Sequence, residues 1–285
     1  MDEVGSAPAA RTGVGALVAL YGQAFQLLHA RPALRRSLAR WLTAGLVFTE
    51  AYAVGVAQLV SPRAAVLAAL GAALWWLFVA FVLVGGATLL LTHPEGRRID
   101  YYGVPNGLTA IRAWSCLPLL LSAALPLHGD LGLTLWCSIG GPLALLDAVD
   151  GLVARRVGPL TLLGRALDPA GDALFFAMAA VGGGLVGILP WWLCGLIVVR
   201  YIGPLLATPI VFLSHRRPEL SHTHWGRRNT IAVGWVFFIL MWVRIAHGPV
   251  DAVALVVGIP LVGGTLLLYV ADLVRRTREA PVVQA

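Results

Sequence analysis

The sequence from Asp147 to Asp172 reads DAVDGLVARRVGPLTLLGRALDPAGD and carries four carboxylates, three arginines and four glycines. Long apolar stretches flank it on both sides. Asp147 and Asp150 are three residues apart, and Asp168 and Asp172 are four residues apart. If both segments are helical, each pair projects from one face of its helix. Two such faces turned toward each other would form a box of four carboxylates.

A box of this kind needs neutralising charge. An aspartate at the centre of a membrane helix costs about 2.5 to 3.5 kcal/mol, and neighbouring carboxylates repel one another. The available ligands are hard oxygens, which favour Mg²⁺, Mn²⁺ or Ca²⁺ over zinc or copper, while the three cysteines lie scattered in apolar runs. Four negative charges balance two divalent ions and leave coordination positions for a phosphate-bearing substrate. The pattern therefore predicts metal-assisted phosphoryl transfer.

The composition indicates an integral membrane protein. The chain has 285 residues, of which 59% are hydrophobic and 12% charged, and its mean hydropathy is +0.82. Several apolar runs reach the length of about 20 residues that crosses a bilayer.

The net charge of +7 comes from arginine, because the chain has no lysine. The arginines cluster in short segments between apolar runs, as the positive-inside rule predicts, so we expect no nucleic-acid partner. The cysteines show no pairing pattern that would indicate a disulfide framework.

The spacing D-x2-D-G-x2-A-R-x8-G-x3-D-x3-D resembles the signature of the CDP-alcohol phosphotransferase family, also called CDP-alcohol phosphatidyltransferases. Its fixed positions are met by Asp147, Asp150, Gly151, Ala154, Arg155, Gly164, Asp168 and Asp172. Upstream, PNGLTAIR at residues 105–112 is similar to the P-N-x-[IL]-T-x-x-R stretch that opens the first core helix in many members. The resemblance covers residues 105–274. It is specific for the class of reaction but not for the substrate.

The resemblance implies roles for the carboxylates. Asp147, Asp150 and Asp168 would hold metal, and Asp172 would contact the second ion and act as the general base on the acceptor hydroxyl. The alternative is a set of helix-end carboxylates facing solvent or bound to nearby arginines. Arginine pairing alone would not require matched spacing on two successive helices, so we favour the metal site.

The donor nucleotide is expected to contact five residues: Asn106, Thr109, Gly151, Arg155 and Thr161. Gly151 lacks a side chain and lets a flat ring or ribose approach the backbone, although helix packing through a small residue is the alternative. Arg155 suits a pyrophosphate because its guanidinium group is planar and presents several N–H donors. Asn106 and Thr109 share a helix face and suit the cytidine or ribose, with an N-capping role as the alternative for Asn106. Thr161 is assigned by the resemblance alone.

Arg200 interrupts the apolar run WWLCGLIVVRYIGPLL, where a charge needs a partner or a water-filled cavity. We predict that Arg200, together with Arg112, binds an anionic acceptor such as glycerol phosphate or inositol phosphate. A structural salt bridge from Arg200 to one of the aspartates is the alternative. Many glycerophosphate-using members carry lysine directly after the fourth aspartate, whereas this chain has Ala173. That departure keeps inositol phosphate, a neutral alcohol and a donor without a lipid open.

The apolar runs predict eight membrane spans after an interfacial helix within residues 14–30. The predicted spans are residues 41–60, 64–91, 106–127, 131–153, 167–189, 191–213, 231–245 and 252–270. The last six match the six-helix core that the family implies, and the first two are an addition that the signature does not explain. The predicted divisions are an interfacial segment 1–40, two extra helices 41–92, a linker 93–105, a catalytic core 106–275 and a tail 276–285.

The positive-inside rule orients the predicted spans. Placing the N-terminus inside assigns the arginine clusters at 31–40, 97–98, 155–165, 216–228 and 275–278 to one side of the membrane. Both termini and the aspartate box are then cytoplasmic. We also expect a homodimer, in which the two extra helices would serve dimer contacts, a partner, or no catalytic purpose.

Together with the composition, the resemblance implies an all-α membrane enzyme of phospholipid biosynthesis that uses two Mg²⁺ or Mn²⁺ ions. It would transfer the phosphoalcohol group of a CDP-activated alcohol, which we expect to be CDP-diacylglycerol, to a small alcohol and release CMP. The motif holds no Ser, Cys or His nucleophile, which favours direct displacement. A divalent-cation transporter is the rival from another class, but it predicts acidic residues spread across the membrane thickness. An inactive scaffold is the second rival.

Overall fold

The computed structural model of the chain describes residues 14–92, 95–157, 161–213 and 224–279, without the side chains of 146–157, 205, 207–213, 224 and 277–279. In these ranges the chain forms ten α-helices. They are α1 (Val14–Ala30), α2 (Pro32–Gln58), α3 (Pro62–Gly86), α4 (Gly103–Ala124), α5 (Leu131–Val157), α6 (Leu162–Leu185), α7 (Trp191–Leu213), α8 (His224–Ile245), α9 (Val250–Gly258) and α10 (Thr265–Glu279). A π-helical stretch, Ile259–Gly264, joins α9 to α10. The fold is therefore all-α, as predicted.

Four helical segments in the described part of the chain are long and apolar enough to cross a membrane. They are Pro62–Leu89, Gly103–Ala124, Trp225–Ile245 and Val250–Arg276. Shorter apolar helical segments are Val14–Ala30, Leu131–Leu145 and Trp191–Pro204. The helices α2 and α6 are not among the four, and each carries charged side chains in its first half. The chain is thus an all-α membrane protein, and the predicted number of eight spans stays a prediction.

The helices extend beyond the predicted apolar spans. Helix α2 begins at Pro32, so Arg35, Arg36 and Arg40 lie on the helix and not before it. Helix α6 begins at Leu162, five residues before the predicted span, and α10 continues to Glu279. Hydropathy finds only the apolar part of a helix, whereas hydrogen bonds and end caps decide where it begins and ends.

Helices α2 and α3 contain the two extra spans predicted from the sequence, and both pack against α4. Gly45 of α2 lies against the ring of Trp114 of α4, and Gly107 of α4 lies against the ring of Trp41 of α2. In both places a Cβ on the glycine would overlap the indole. The pairing is reciprocal, because each helix supplies one tryptophan and one glycine. It brings the backbones of α2 and α4 close together beside the N-terminal half of α4.

This packing predicts opposite effects for two Gly→Ala substitutions on α2. Gly45→Ala is expected to destabilise the protein by about 1 to 3 kcal/mol, because the new methyl group overlaps the buried Trp114. Gly55→Ala is the matched control, since nothing lies within 4 Å of its Cβ position, and it should stabilise by about 0.5 to 1 kcal/mol. Thermal unfolding in detergent measures both. Equal effects would contradict the packing of α2 on α4.

The second half of the chain has its own apolar core. Phe175 and Phe176 of α6 are buried members of this core, and the ring of Phe176 stacks on Tyr201 of α7 at 4.5 Å between centroids. Buried aliphatic residues from neighbouring helices complete this core: Leu119, Leu193, Ile197, Val233 and Leu240. The core fixes the positions of α6 and α7, which carry predicted site residues.

One end of the helical array carries the turns that follow α4 and α8. There, Arg244 near the end of α8 pairs with Asp130 just before α5, at 3.3 Å. Gly187 follows α6 with φ of +74°. A Cβ added to this glycine would lie 3.3 Å from the Arg244 side chain. The first turns of α4 and α6 lie at the opposite ends of their helices. Asn106 and Thr161 therefore lie far along the helix axes from Asp130.

Candidate active site between α4 and α6

The N-terminal halves of α4 and α6 face each other through three polar side-chain pairs. Because residue numbers increase along both helices from pair to pair, α4 and α6 run in the same direction. The pairs are Thr161 donating to Asn106 Oδ1 at 3.0 Å, Thr109 donating to Asp168 Oδ1 at 2.9 Å, and Arg112 forming an ion pair with Asp172. The spacing of three residues between the α4 members places all three on one helix face.

Glycines allow this close approach. A Cβ on Gly164 would lie 2.9 Å from Asn106 Oδ1, and a Cβ on Gly171 would lie 3.4 Å from the Thr109 methyl group. Gly164 is one of the signature positions. Its role in the structure is to leave room for the Asn106 amide beside the first turn of α6.

Thr161 begins α6. Its hydroxyl oxygen accepts a hydrogen bond from the Gly164 N–H at 3.0 Å, which satisfies one of the free N–H groups of the first turn. The same hydroxyl donates to Asn106, so this one group connects the first turn of α6 to α4. Asn106 lies within α4 and not at its N-cap position, which Tyr102 occupies. The N-capping alternative for Asn106 is therefore wrong.

Asp168 and Asp172 lie one helical turn apart on α6. Asp168 is exposed, and its Oδ1 accepts from Thr109, which is buried. The side chain of Asp172 is 37% exposed, whereas its partner Arg112 is only 4% exposed. Both carboxylates are thus held from the α4 side while remaining accessible. Arg112 contacts the predicted base, and its predicted acceptor role stays a prediction.

The other half of the predicted box lies on α5. The backbone of Asp147, Asp150, Gly151 and Arg155 belongs to the C-terminal part of that helix, and their side chains lie outside the described residues. Within the described part of the chain, no group of three or more His, Cys, Asp or Glu side chains forms a metal site. The chemistry of Asp168 and Asp172 fits a hard divalent cation such as Mg²⁺ or Mn²⁺, which prefers carboxylate oxygens.

Arg200 occupies a different environment. It lies on α7 and is 8% exposed, and its Nε donates to Asn229 Oδ1 at 3.0 Å. One of its terminal nitrogens donates to the Gly226 carbonyl at 3.3 Å. The guanidinium lies 3.9 Å from the centroid of the Tyr269 ring, a cation–π contact. In the described ranges it makes no salt bridge, and the two α6 carboxylates pair elsewhere.

Asn229 and Tyr269 were not predicted. Asn229 is fully buried, and its Nδ2 donates to Thr265 Oγ1 at 2.6 Å and to the Val262 carbonyl at 3.2 Å. Val262 belongs to the π-helical stretch, a geometry that often marks functional sites. A buried polar residue inside the apolar α8 sequence was the available signal, because such a group needs partners.

Comparison with known proteins bears on this site. The family model described as CDP-alcohol phosphatidyltransferase matches residues 102–263, more than half of the chain. A relative named "Probable phosphatidylglycerophosphate synthase" from Mycobacterium tuberculosis is 28% identical over 140 residues, covering 47% of this chain and 62% of that protein. A "Putative cardiolipin synthase" from Mycobacterium bovis is 27% identical over 170 residues, with coverage of 48% and 74%.

A "Cardiolipin synthase (CMP-forming)" from Streptomyces coelicolor is 32% identical over 123 residues, covering 43% of this chain and 56% of that protein. No solved structure shows significant similarity to the chain. The chain thus spans less than two thirds of the Mycobacterium tuberculosis and Streptomyces relatives. The matched region contains every signature position from Asp147 to Asp172 and all three α4–α6 pairs. The chain belongs to the CDP-alcohol phosphatidyltransferase family.

Proposed function

We propose that this protein transfers a phosphatidyl group from CDP-diacylglycerol to a glycerol-phosphate-type acceptor and releases CMP, as a step of phospholipid biosynthesis. The observation that carries the proposal is the face of α6 on which Asp168 and Asp172 are held by Thr109 and Arg112, within the region that matches the family. The names of the relatives, which include phosphatidylglycerophosphate synthase and a CMP-forming cardiolipin synthase, support this class of acceptor and product.

Four carboxylates would hold two divalent cations, Mg²⁺ or Mn²⁺: Asp147 and Asp150 from α5, and Asp168 and Asp172 from α6. When bound, such ions supply charge neutralisation for a pyrophosphate and its leaving group. Thr109 orients Asp168 through its hydrogen bond to Oδ1. Gly151 and Arg155 would face the donor nucleotide, together with Asn106 and Thr161, which are joined to each other.

In the reaction, the acceptor hydroxyl oxygen forms a bond to the phosphorus that carries the diacylglycerol. The bond from that phosphorus to the bridging oxygen of CMP breaks, and CMP leaves with the electron pair. Asp172 takes the proton of the acceptor hydroxyl. Its partial exposure gives the acceptor access, and the ion pair with Arg112 fixes one carboxylate oxygen. Direct displacement predicts that no covalent phosphatidyl-enzyme is trapped with labelled donor.

Arg200 is proposed to bind the phosphate of the acceptor. Its contacts among the described side chains are with the neutral groups of Asn229, Gly226, Tyr201 and Tyr269, and no described carboxylate pairs with it. A buried guanidinium suits an anion such as the acceptor phosphate, because its planar set of N–H donors matches phosphate oxygens. Tyr201 links this position to the α6 core through its stacking on Phe176.

Arg200→Gln is therefore expected to raise the KM for glycerol 3-phosphate by at least about tenfold and to leave the KM for the CDP donor unchanged. Arg244→Gln is the control, because Arg244 pairs with Asp130 at the end of the protein that lies away from the first turns of α4 and α6. Steady-state CMP release at varied acceptor concentration measures both. An equal rise in both KM values would assign Arg200 to packing.

The proposal includes an orientation and an assembly. Both termini and the aspartate face would lie in the cytoplasm, where nucleotide-activated donors are found, and the protein would form a homodimer. Cysteine-accessibility labelling of Tyr101→Cys in intact cells tests the orientation. If an impermeant reagent labels this cysteine before lysis, the segment before α4 lies outside the cell, and the proposed orientation is wrong.

The experiment that tests the activity uses purified protein with labelled CDP-diacylglycerol, Mg²⁺ or Mn²⁺ and a panel of acceptors. The panel contains glycerol 3-phosphate, phosphatidylglycerol, inositol phosphate and a neutral alcohol. CMP release with glycerol 3-phosphate or phosphatidylglycerol is the expected result, and it should vanish with a chelator. If only inositol phosphate or the neutral alcohol supports CMP release, that compound is the acceptor and the glycerol-phosphate assignment is wrong. No CMP with any acceptor would favour the divalent-cation transporter, which a flux assay in vesicles then tests.

A further inference from the structure

Tyr102 joins three helices in the interior of the protein. It is 1% exposed, and its hydroxyl donates to the Leu83 carbonyl of α3 at 2.5 Å. Its backbone N–H donates to Ser37 Oγ of α2 at 3.1 Å. Its own carbonyl accepts from Asn106 Nδ2 of α4 at 2.5 Å. One residue thus connects both extra helices to a predicted donor contact.

Two of these bonds satisfy backbone groups that have no partner within their own helix. The Leu83 carbonyl is one of the last four of α3, which lack a partner within the helix. Tyr102 precedes the first turn of α4, where backbone N–H groups also lack helical partners. Buried polar groups of this kind need partners, so the three bonds constrain where Tyr102 lies.

The position of Tyr102 in turn orients the Asn106 amide. Asn106 is 3% exposed, and donation by Nδ2 to the Tyr102 carbonyl directs Oδ1 toward Thr161. Thr161 donates its only hydroxyl proton to that oxygen while capping α6. A shift of Tyr102 would therefore change the amide orientation and the relative placement of α4 and α6.

A second connection reaches the same place. The strap, which we define as residues 90–92 and 95–99, joins α3 to the segment before α4. Its Ile99 N–H donates to the Leu90 carbonyl at 3.1 Å, and its Leu91 carbonyl accepts from the Leu162 N–H of α6 at 2.9 Å. Thr92 pairs with Thr161 in an isolated antiparallel bridge. The segment that follows α3 thus holds the start of α6 directly.

We propose that the N-terminal helices α2 and α3 form a positioning element for the donor nucleotide, and that Tyr102 is the positioning residue that links them to Asn106 and Thr161. The inference rests on the proposed function, which places the CDP donor at this pair. The family match begins at Tyr102, so α2, α3 and the strap lie outside it. They are an addition to the family region that contacts its donor side.

The test compares Tyr102→Phe with Tyr101→Phe. Tyr101 is the matched control, because it is 46% exposed and makes no hydrogen bond in the described part of the chain. We expect Tyr102→Phe to raise the KM for the CDP donor about three- to tenfold, with the acceptor KM and kcat changed less than about twofold. Binding of labelled CDP should weaken by the same factor. Ser37→Ala removes the other anchor and should act in the same direction.

Several outcomes decide the inference. A lower Tm with an unchanged donor KM in both Tyr102→Phe and Ser37→Ala would assign these residues to stability alone and overturn it. A matched effect in Tyr101→Phe would also overturn it. If the wild-type protein binds CDP without releasing CMP, the proposed activity fails, and weaker CDP binding in both variants would still support the positioning role. If the wild-type protein does not bind CDP, both proposals fail.

Discussion

Asp172→Asn is expected to lower the rate of CMP release by about 10²- to 10⁴-fold, the range contributed by a positioned general base. The amide keeps the size of the side chain but cannot accept the acceptor proton. Because Arg112 would still find an oxygen acceptor, α4 and α6 should keep their relative positions. The measurement is kcat at saturating donor, acceptor and Mn²⁺, together with the Tm of the variant.

The control for this substitution is Asp251→Asn. Asp251 is exposed in the first turn of α9, away from the α4–α6 pairs, so the same chemical change there should leave kcat within about twofold of wild type. Near-normal turnover in Asp172→Asn would remove the base assignment. If activity returns at high Mn²⁺, Asp172 acts as a metal ligand and the base must be sought elsewhere.

Arg112→Gln is expected to reduce kcat by about 10- to 100-fold, which corresponds to about 1.4 to 2.7 kcal/mol. Arg112 is 4% exposed, and removing one member of a buried ion pair leaves the other charge uncompensated. The exposure of Asp172, at 37%, reduces the effect below that of a fully buried pair. Arg112→Lys keeps the positive charge but lacks the planar guanidinium group, so its kcat should lie between those of the wild type and Arg112→Gln.

A double-mutant cycle isolates the pair. Arg112→Gln in the Asp172→Asn background should cost much less than in the wild type, because the interaction has already been weakened. Arg63→Gln is the control, since Arg63 is exposed in the first turn of α3. A rise in the acceptor KM with kcat unchanged would instead support the acceptor-binding role predicted from the sequence.

The sequence predicted which residues of the candidate site share a helix face, because its signals are local. Spacings of three and four residues place Asp168 with Asp172, and Asn106 with Thr109 and Arg112, on single helix faces without any knowledge of the fold. The resemblance then identified which family uses this spacing, and the family match confirmed it. Composition and the length of the apolar runs were enough to predict an all-α membrane protein, since about 20 apolar residues is the length of a helix that crosses a bilayer.

The pairing of these faces could not be predicted. That Thr109 donates to Asp168, and that Arg112 pairs with Asp172, depends on how α4 and α6 pack. Residues 59 and 60 positions apart in sequence come together there. Nothing in the local sequence distinguishes an arginine that binds an acceptor from one that pairs with Asp172. The same holds for Arg200, whose partner Asn229 lies on another helix.

The amino-acid sequence alone determined the class of protein, the spacing of the charged residues along the helices and the family, because each follows from residue spacing, hydropathy or a local motif. Only the tertiary structure decided which face meets which, and that the extra helices reach the site through Tyr102. The physical reason is that side-chain hydrogen bonds and glycine-sized gaps act over a few ångströms between distant segments. Their partners exist only once the helices have packed.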